Sequence, residues 1–489
     1  MIDLLIELGD NGPMQQRVYE GIYAALRDGR LKPGQRLPAS RVWALELGVA
    51  RNTIREATTA LIAEGWLEAR AGSGLFVRPQ PALHSKVEAA LTSARAASGQ
   101  LSLSAWAGQL PQALPELPSS SLVVDFRPGV VSSDAERLFR YRRPAQSRDA
   151  VTAALCQYGD PAGELPLRQR IAAYLRQSRS VRCGPDDIVV TSGMHQSMDL
   201  LCRLLLEPGR SLAVEDPGYP VIGHAAKLAG AALCHIGVDD NGLKVDEVPS
   251  RIAGVYCTPN HQFPLGVALS GSRRRELLDR AAREDFFVIE DDYDCEFYHG
   301  AAPSRCLQAE DAAQRVIYVG SVSKILAPAL RIGYIVAPPW LRDSLHRAKW
   351  VVDRQTSSYA QNALLAIMSS GDFATHLHRM RFEYGKRRTA LLDGIGTRLR
   401  QYVVALASTC GMHVAARITN GCDARTLCRL AEAEGVGIYE GNQFSSTGSA
   451  SDILVFAFGR TGAAEIERGL ELIEKAWASR RTADALRGP

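Results

Sequence analysis

The chain has 489 residues, 57 Lys+Arg against 53 Asp+Glu for a formal net charge of +4, with 46% hydrophobic and 22% charged residues. That length excludes a lone binding module, since one domain takes about 150 residues, and the composition excludes a disordered polymer. So small a charge excludes a nucleic-acid coat over the whole surface, and ten cysteines with no Cys-x-x-Cys exclude a disulfide framework or a zinc ribbon.

The first residues, Met1 to Glu7, carry acids where a secretory signal needs Lys or Arg, and no run of about 18 apolar residues follows anywhere. A soluble, cytoplasmic protein with no membrane partner is expected. Residues 1–79 read as a small basic unit, with ten Lys/Arg against six acids between Pro13 and Pro79. Val18, Ile22, Ala25 and Leu26 recur at helical spacing, and Gly29 with Pro33-Gly34 stops that helix. A second helix opens near Ser40 and ends at Gly48, and a third is predicted from Arg51 to Glu64, closed by Gly65. Trp66 to Arg70 and Leu75 to Arg78 flank Ala71-Gly72-Ser73-Gly74 as a two-stranded hairpin.

Three short helices and a Gly-tipped hairpin are the layout of a winged helix-turn-helix, whose third helix enters the major groove of double-stranded DNA. Arg51-Asn52-Thr53 at the start of that helix suits base edges, and Ser40-Arg41 suits a phosphate. The stretch RLKPGQRLPASRVWALELGVARNTIREATTALIAEGWLEARAGSGLFV resembles the GntR family of bacterial transcription factors. That resemblance implies Arg36, Ser40, Arg41, Arg51, Asn52, Thr53, Arg55 and Gly72 at an operator. Ala50 stands where the family has a capping Ser, and Thr53-x-x-Glu56 has capping-box spacing one turn later.

Residues 80–121 shift to Ala, Ser, Pro, Gln and Leu and read as a linker, with room for a helix over Val87 to Ala97. Residues 122–489 alternate strand-like runs, Ile188-Val190, Ser211-Val214, Gly254-Cys257, Phe287-Ile289 and Val316-Val319, with helical stretches. This predicts an α/β domain on a mainly parallel sheet with its ligand at the carboxyl ends of the strands.

Chemistry gathers at those ends. Lys324, in Gly320-Ser321-Val322-Ser323-Lys324, can form a Schiff base with an aldehyde, and Ser321, Ser323 and Arg331 can bind a phosphate dianion. In Phe287-Val288-Ile289-Glu290-Asp291-Asp292-Tyr293 an acid can keep a pyridine nitrogen protonated and a phenol can donate to a ring oxygen. Gly193, in Thr191-Ser192-Gly193-Met194-His195, makes a turn that presents backbone N–H groups to phosphate. Tyr219 offers a flat face for stacking. His195 reads as a structural histidine at a helix start.

In this order the elements resemble the fold-type I aminotransferases from about Asp125 onward. The resemblance implies pyridoxal 5′-phosphate as cofactor, with Lys324 as the Schiff-base lysine, Asp291 at the pyridinium, Tyr293 at O3′ and Tyr219 stacked on the ring. It further implies Gly193, Met194, Ser321, Ser323 and Arg331 as the phosphate cup, with Met194 contributing only its backbone. Either Asn260 or His261 would also contact O3′. Tyr158 would reach the neighbouring subunit's phosphate in a homodimer, and Arg460 would grip an effector's carboxylate. No metal is implied. Together the two halves resemble the MocR subfamily: DNA-binding regulators whose aminotransferase-like domain senses a small amino compound or the cofactor itself. The alternative is a working aminotransferase with an accessory N-terminal module.

Overall fold

The structure is a computed structural model that describes residues 6–9, 12–79, 104–111, 122–129, 131–132, 138, 157–300 and 305–487. The chain separates into two compact units, Met1–Leu103 and Ser104–Pro489. The helix expected over Val87 to Ala97, and most of the expected linker, lie outside the described residues.

In the first unit α1 spans Met14–Arg27, α2 Ser40–Glu46 and α3 Arg51–Ala63. Strands β1, Leu67–Arg70, and β2, Gly74–Val77, pair antiparallel with Arg70 opposite Gly74. Gly72 sits at the tip with φ +71°, a left-handed conformation that costs glycine little. The apolar positions of α1 meet Trp43, Ile54 and Leu61 in one buried core. Helix α3 begins at Arg51 with Ala50 as N-cap and no side-chain cap bond. The capping box expected from Thr53 and Glu56 does not form: the Glu56 carboxylate accepts a bond from the Asn52 amide at 2.9 Å instead.

The second unit is built on an eight-stranded sheet. Its strands are β4 (Ile188–Thr191), β5 (Ser211–Asp216), β6 (Ala232–Asp239), β7 (Gly242–Leu243), β8 (Gly254–Cys257), β9 (Phe287–Asp292), β10 (Val316–Ser321) and β11 (Gly333–Val336). Their order is β4-β11-β10-β9-β8-β5-β6-β7. The run from β10 through β9, β8 and β5 to β6 is parallel. Strand β11 is antiparallel to both its neighbours.

Strands β4, β8, β9, β10 and β11 are buried along their whole length, as a sheet covered on both faces requires. Side chains alternate between faces. Val190, Tyr318 and Tyr334 enter one core, while Val189, Ile317, Val319 and Ile335 enter another. A second, four-stranded antiparallel sheet, in the order β12-β13-β16-β15, combines Val403–Ala405, His413–Ile418, Ile453–Ala457 and Tyr439–Glu440. No helix of the described residues is long and apolar enough to cross a membrane.

Trp43 is 1% exposed at the centre of the small core. Trp43→Ala should lower the stability of the first unit by about 3–5 kcal/mol. In urea unfolding of the full chain, the DNA-binding transition should move to lower denaturant while the transition of the larger unit stays in place.

Candidate functional site

The parallel strands end in polar residues at one edge of the sheet, and β9 illustrates how the pleat sorts them. Successive residues Asp291 and Asp292 face opposite sides. Asp292 is paired with the Arg179 guanidinium at 2.6 Å and the Tyr318 hydroxyl at 2.7 Å. Asp291 forms no ion pair among the described residues. Its Oδ2 accepts from the Tyr256 hydroxyl at 2.6 Å, and its buried Oδ1 has no partner among the described residues. Burial pushes the Asp291 carboxyl from 3.8 up to about 7; the Tyr256 bond works against this, and Asp292, Glu215 and Asp294 add to it.

Lys324 follows β10, whose Val319 lies opposite Asp291 in the parallel register. Burial pulls its amine below the usual lysine range, and the Asp294 carboxylate opposes this only in part. An amine held closer to its neutral form is a better nucleophile at neutral pH.

The sheet register aligns the anion-binding parts. Ser321 pairs with Gly333, and Gly333 pairs with Thr191. The Ser192-Gly193 turn after β4 therefore stands beside the Arg331 loop before β11. Gly193 has φ +90°, and a Cβ there would approach Cζ of Arg331 to 3.0 Å. The Arg331 guanidinium donates to the Ser192 carbonyl at 3.0 Å. Met194 opens α5, Met194–Leu205, so its backbone N–H belongs to the uncapped first turn of a helix. Ser321 is buried, Ser323 half-buried and Arg331 exposed. His195, on that same first turn, is exposed, and partial burial and the Arg331 cation hold its pKa below the usual histidine range.

Tyr293 and the two alternatives for O3′ have different partners, and both His261 Nε2 and Asn260 Nδ2 are buried without one among the described residues. The Tyr293 hydroxyl lies 3.0 Å from His261 Nδ1, which also meets Asp294 at 2.8 Å. Burial opposes charge on His261, yet Asp294 raises it to about 9, so that it forms an ion pair behind the phenol. Beside it, burial and the His261 charge push His413 down to about 3. Asn260 turns its carbonyl to the Arg274 guanidinium at 2.6 Å, and its buried Nδ2 is uncommitted among the described residues. Tyr219 is half-buried, with its ring edge-on to Phe263 at 6.0 Å.

Tyr158 and Arg460 stand away from this cluster of contacts. Tyr158 is 75% exposed, with the Arg354 guanidinium 4.0 Å over its ring. Arg460 is exposed after β16 and makes no hydrogen bond or ion pair among the described residues.

In the first unit Arg36, Arg41, Arg51, Asn52, Arg55 and Gly72 are exposed, and Ser40 and Thr53 are half-buried. Arg51 Nε donates to the Ser40 hydroxyl at 3.3 Å, which brings the starts of α2 and α3 together. Arg36 lies against the hairpin at Gly74.

Sequence reasoning missed Tyr256, Asp294, Arg274 and His413. Tyr256 carried a signal, because a tyrosine inside a fully buried strand must find a partner for its hydroxyl. The other three are brought in by chain folding alone. The set fits pyridoxal 5′-phosphate: an uncommitted buried acid suits a ring nitrogen, a desolvated amine suits an aldehyde, and a glycine turn against a guanidinium suits a phosphate.

Two families match the chain: aminotransferase class I and II over residues 139–461, and bacterial regulatory proteins of the gntR family over residues 14–77. The probable rhizopine catabolism regulatory protein MocR of Rhizobium meliloti is 34% identical over 435 residues, 88% of this chain and 87% of that protein. The HTH-type pyridoxine biosynthesis transcriptional regulator PdxR of Corynebacterium glutamicum is 30% identical over 400 residues, 81% of this chain and 82% of that one. Among solved structures, kynurenine aminotransferase of Pyrococcus horikoshii in complex with PMP superposes with a TM-score of 0.66 at 26% identity, covering 74% of this chain and 92% of that one.

Burial raises Glu215 and Glu290 to about 7 as it does Asp291. Folded, these carboxyls keep protons that the unfolded chain loses above about pH 4. Their contribution to stability is therefore full below that pH and lost as the pH rises through 7. In urea unfolding of cofactor-free protein, stability should fall between about pH 4 and 7. Asp291→Asn should reduce that fall by a few kcal/mol, since tenfold in proton affinity is worth about 1.4 kcal/mol. An unchanged pH dependence would place the charge elsewhere.

Proposed function

The chain belongs to the MocR-type GntR regulators, a winged-helix reader joined to an aminotransferase class I and II domain, and we propose that this transcriptional regulator binds pyridoxal 5′-phosphate and answers to a small amino compound. The observation that carries the cofactor proposal is the Asp291 carboxylate, buried with an oxygen uncommitted among the described residues, on the strand paired with the one that leads to the desolvated amine of Lys324. When bound, the cofactor supplies an aldehyde that joins amines reversibly.

The chain's own residues divide the work. Lys324 is the amine that takes the aldehyde, and Asp291 keeps the ring nitrogen protonated. Tyr293 and the free amide of Asn260 donate to O3′, with His261 fixing the phenol from behind. Tyr219 covers the ring face. Gly193, Met194, Ser321, Ser323 and Arg331 hold the phosphate, Met194 through its backbone N–H. Arg460, uncommitted and exposed, receives a carboxylate or similar anion on the effector, a bidentate task for which lysine is poorly shaped.

The functional unit is a homodimer. Tyr158 lies with Trp350, Val351 and Tyr359 among the most exposed large apolar side chains of the larger unit, and Arg354 links Tyr158 to the helix that carries Trp350 and Val351. Covering them with a second copy removes that area from water and lets each Tyr158 reach the other subunit's phosphate. The protein works in the cytoplasm, where Arg36, Ser40, Arg41, Arg51, Asn52, Thr53, Arg55 and Gly72 contact an operator. The effector regulates only through its differential affinity for two arrangements of the protein.

An active aminotransferase remains the second reading because the amine, the acid and the phosphate cup are all present. Steady-state kinetics separates the two. With amino donors and an oxo acid, the regulator should turn over well below about 1 per second, the low end for enzymes; sustained turnover above that favours the enzyme. In gel-shift titrations Arg51→Ala should weaken operator binding by about 1–3 kcal/mol. Arg460→Ala should leave operator affinity intact and weaken the effector response about 10–100-fold, the worth of a charge-assisted bond.

A further inference from the structure

The helix Asp372–Arg398 and the segment Tyr298–Gly300 wall an open groove of about 880 Å³. Small-molecule sites occupy about 300–1,000 Å³. The charged lining is three cations, Arg381, Lys386 and Arg388, against the single acid Asp393. His299 also lines it; burial holds its pKa below the usual histidine range, so it adds no positive charge at neutral pH. Gly385 lines the wall too, and a Cβ there would meet nothing within 4 Å, so the space over the helix is open.

Two of the cations are committed. Arg381 donates to the Glu296 carbonyl at 2.6 Å and covers the Tyr298 ring at 4.6 Å. Lys386 pairs with Glu383 at 3.1 Å and lies 4.1 Å over the Phe382 ring. Arg388 is different. One nitrogen donates to the Ser408 carbonyl at 2.7 Å, its Nε is buried without a partner, and no carboxylate of the described residues lies within ion-pair distance. Burial pulls this guanidinium below its usual range, with only the Cys410 sulfur acting against it. Arginine does not shed its proton near neutral pH, and this half-buried guanidinium has no carboxylate of the described residues beside it. The missing component is a negative charge.

We infer that this groove is a second ligand site, taking a small organic anion that bears a carboxylate or phosphate, with Arg388 as the anchor and Lys386 and Arg381 as flanking charge. The inference does not depend on the reading of the Lys324 cleft. It does touch that cleft: Ser408, the acceptor for Arg388, belongs to the segment that packs Gly411 onto the His261 ring, and His261 backs Tyr293. An anion on Arg388 therefore bears on a segment that supports the other site.

The test is calorimetric titration of the full-length protein, in a buffer of uncharged or cationic components, with inorganic phosphate and with citrate as probes. At least one probe should bind saturably, at about one per chain. Arg388→Met should weaken that component at least about tenfold, Lys386→Met about threefold, and Arg388→Lys should retain part of it. Anion binding at the Ser321–Arg331 cup or at Arg460 would not respond to these substitutions. Lys386 is exposed, so its variant keeps the test valid even where an Arg388 variant fails to fold. No probe binding tighter than about 10 mM, or binding unchanged in both Arg388→Met and Lys386→Met, would overturn the inference.

Discussion

A carboxylate buried without a cation is the constraint on which the larger unit depends. Asp291 ends a fully buried strand, takes a single hydrogen bond from Tyr256, and is surrounded by further acids, Asp292, Glu215 and Asp294. Its neighbour Asp292, one residue along and on the other face, has Arg179 and Tyr318. Two adjacent acids on one strand therefore have opposite fates. One is a structural ion pair, and the other is stable as an anion only when a positive group meets its free oxygen. The low dielectric that pushes Asp291 toward its acid form also pulls Lys324 toward its free amine, so one environment prepares both groups.

The surrounding fold can be understood as support for that pair. Parallel strands bring Asp291 and Ser321, the last strand residue before Lys324, to one edge, while the antiparallel insertion of β11 lays Arg331 beside the Gly193 turn. The His261–Asp294 ion pair stands behind Tyr293. The chemistry sits on strand ends and tight turns, the parts of the unit with the least freedom to move, so groups from five chain segments keep their relative positions.

Much of this was legible in the sequence for a physical reason. Strands buried on both faces appear as short unbroken apolar runs, and Ile188–Val190, Phe287–Ile289 and Val316–Val319 lie within the strands observed. Helical spacing placed α3, expected over Arg51 to Glu64, to within a residue, and Gly29 marked the end of α1 at Arg27. The residues that close the runs, Gly193, Asp291 and Lys324, could be singled out because polar groups and turn glycines at the ends of buried strands need a structural or chemical reason. What stayed hidden depends on long-range closure. Tyr256 reaches Asp291 from 35 positions away, and His413 reaches His261 from a different sheet. The partners of Asn260 and His261, Arg274 and Tyr293, are likewise set by chain folding, and no local pattern encodes them. The capping box failed because α3 already starts at Arg51, so that the Thr53 N–H donates to the Ala50 carbonyl at 3.0 Å and Glu56 takes the Asn52 amide instead.

The central claim, that the Lys324 amine carries pyridoxal 5′-phosphate, is tested most directly by borohydride reduction of the purified protein followed by peptide mass mapping. The prediction is one phosphopyridoxyl adduct, on the peptide that contains Lys324, with loss of the visible absorbance. Intact chain mass that stays unmodified after incubation with excess cofactor and reduction, or an adduct confined to other lysines, would contradict it.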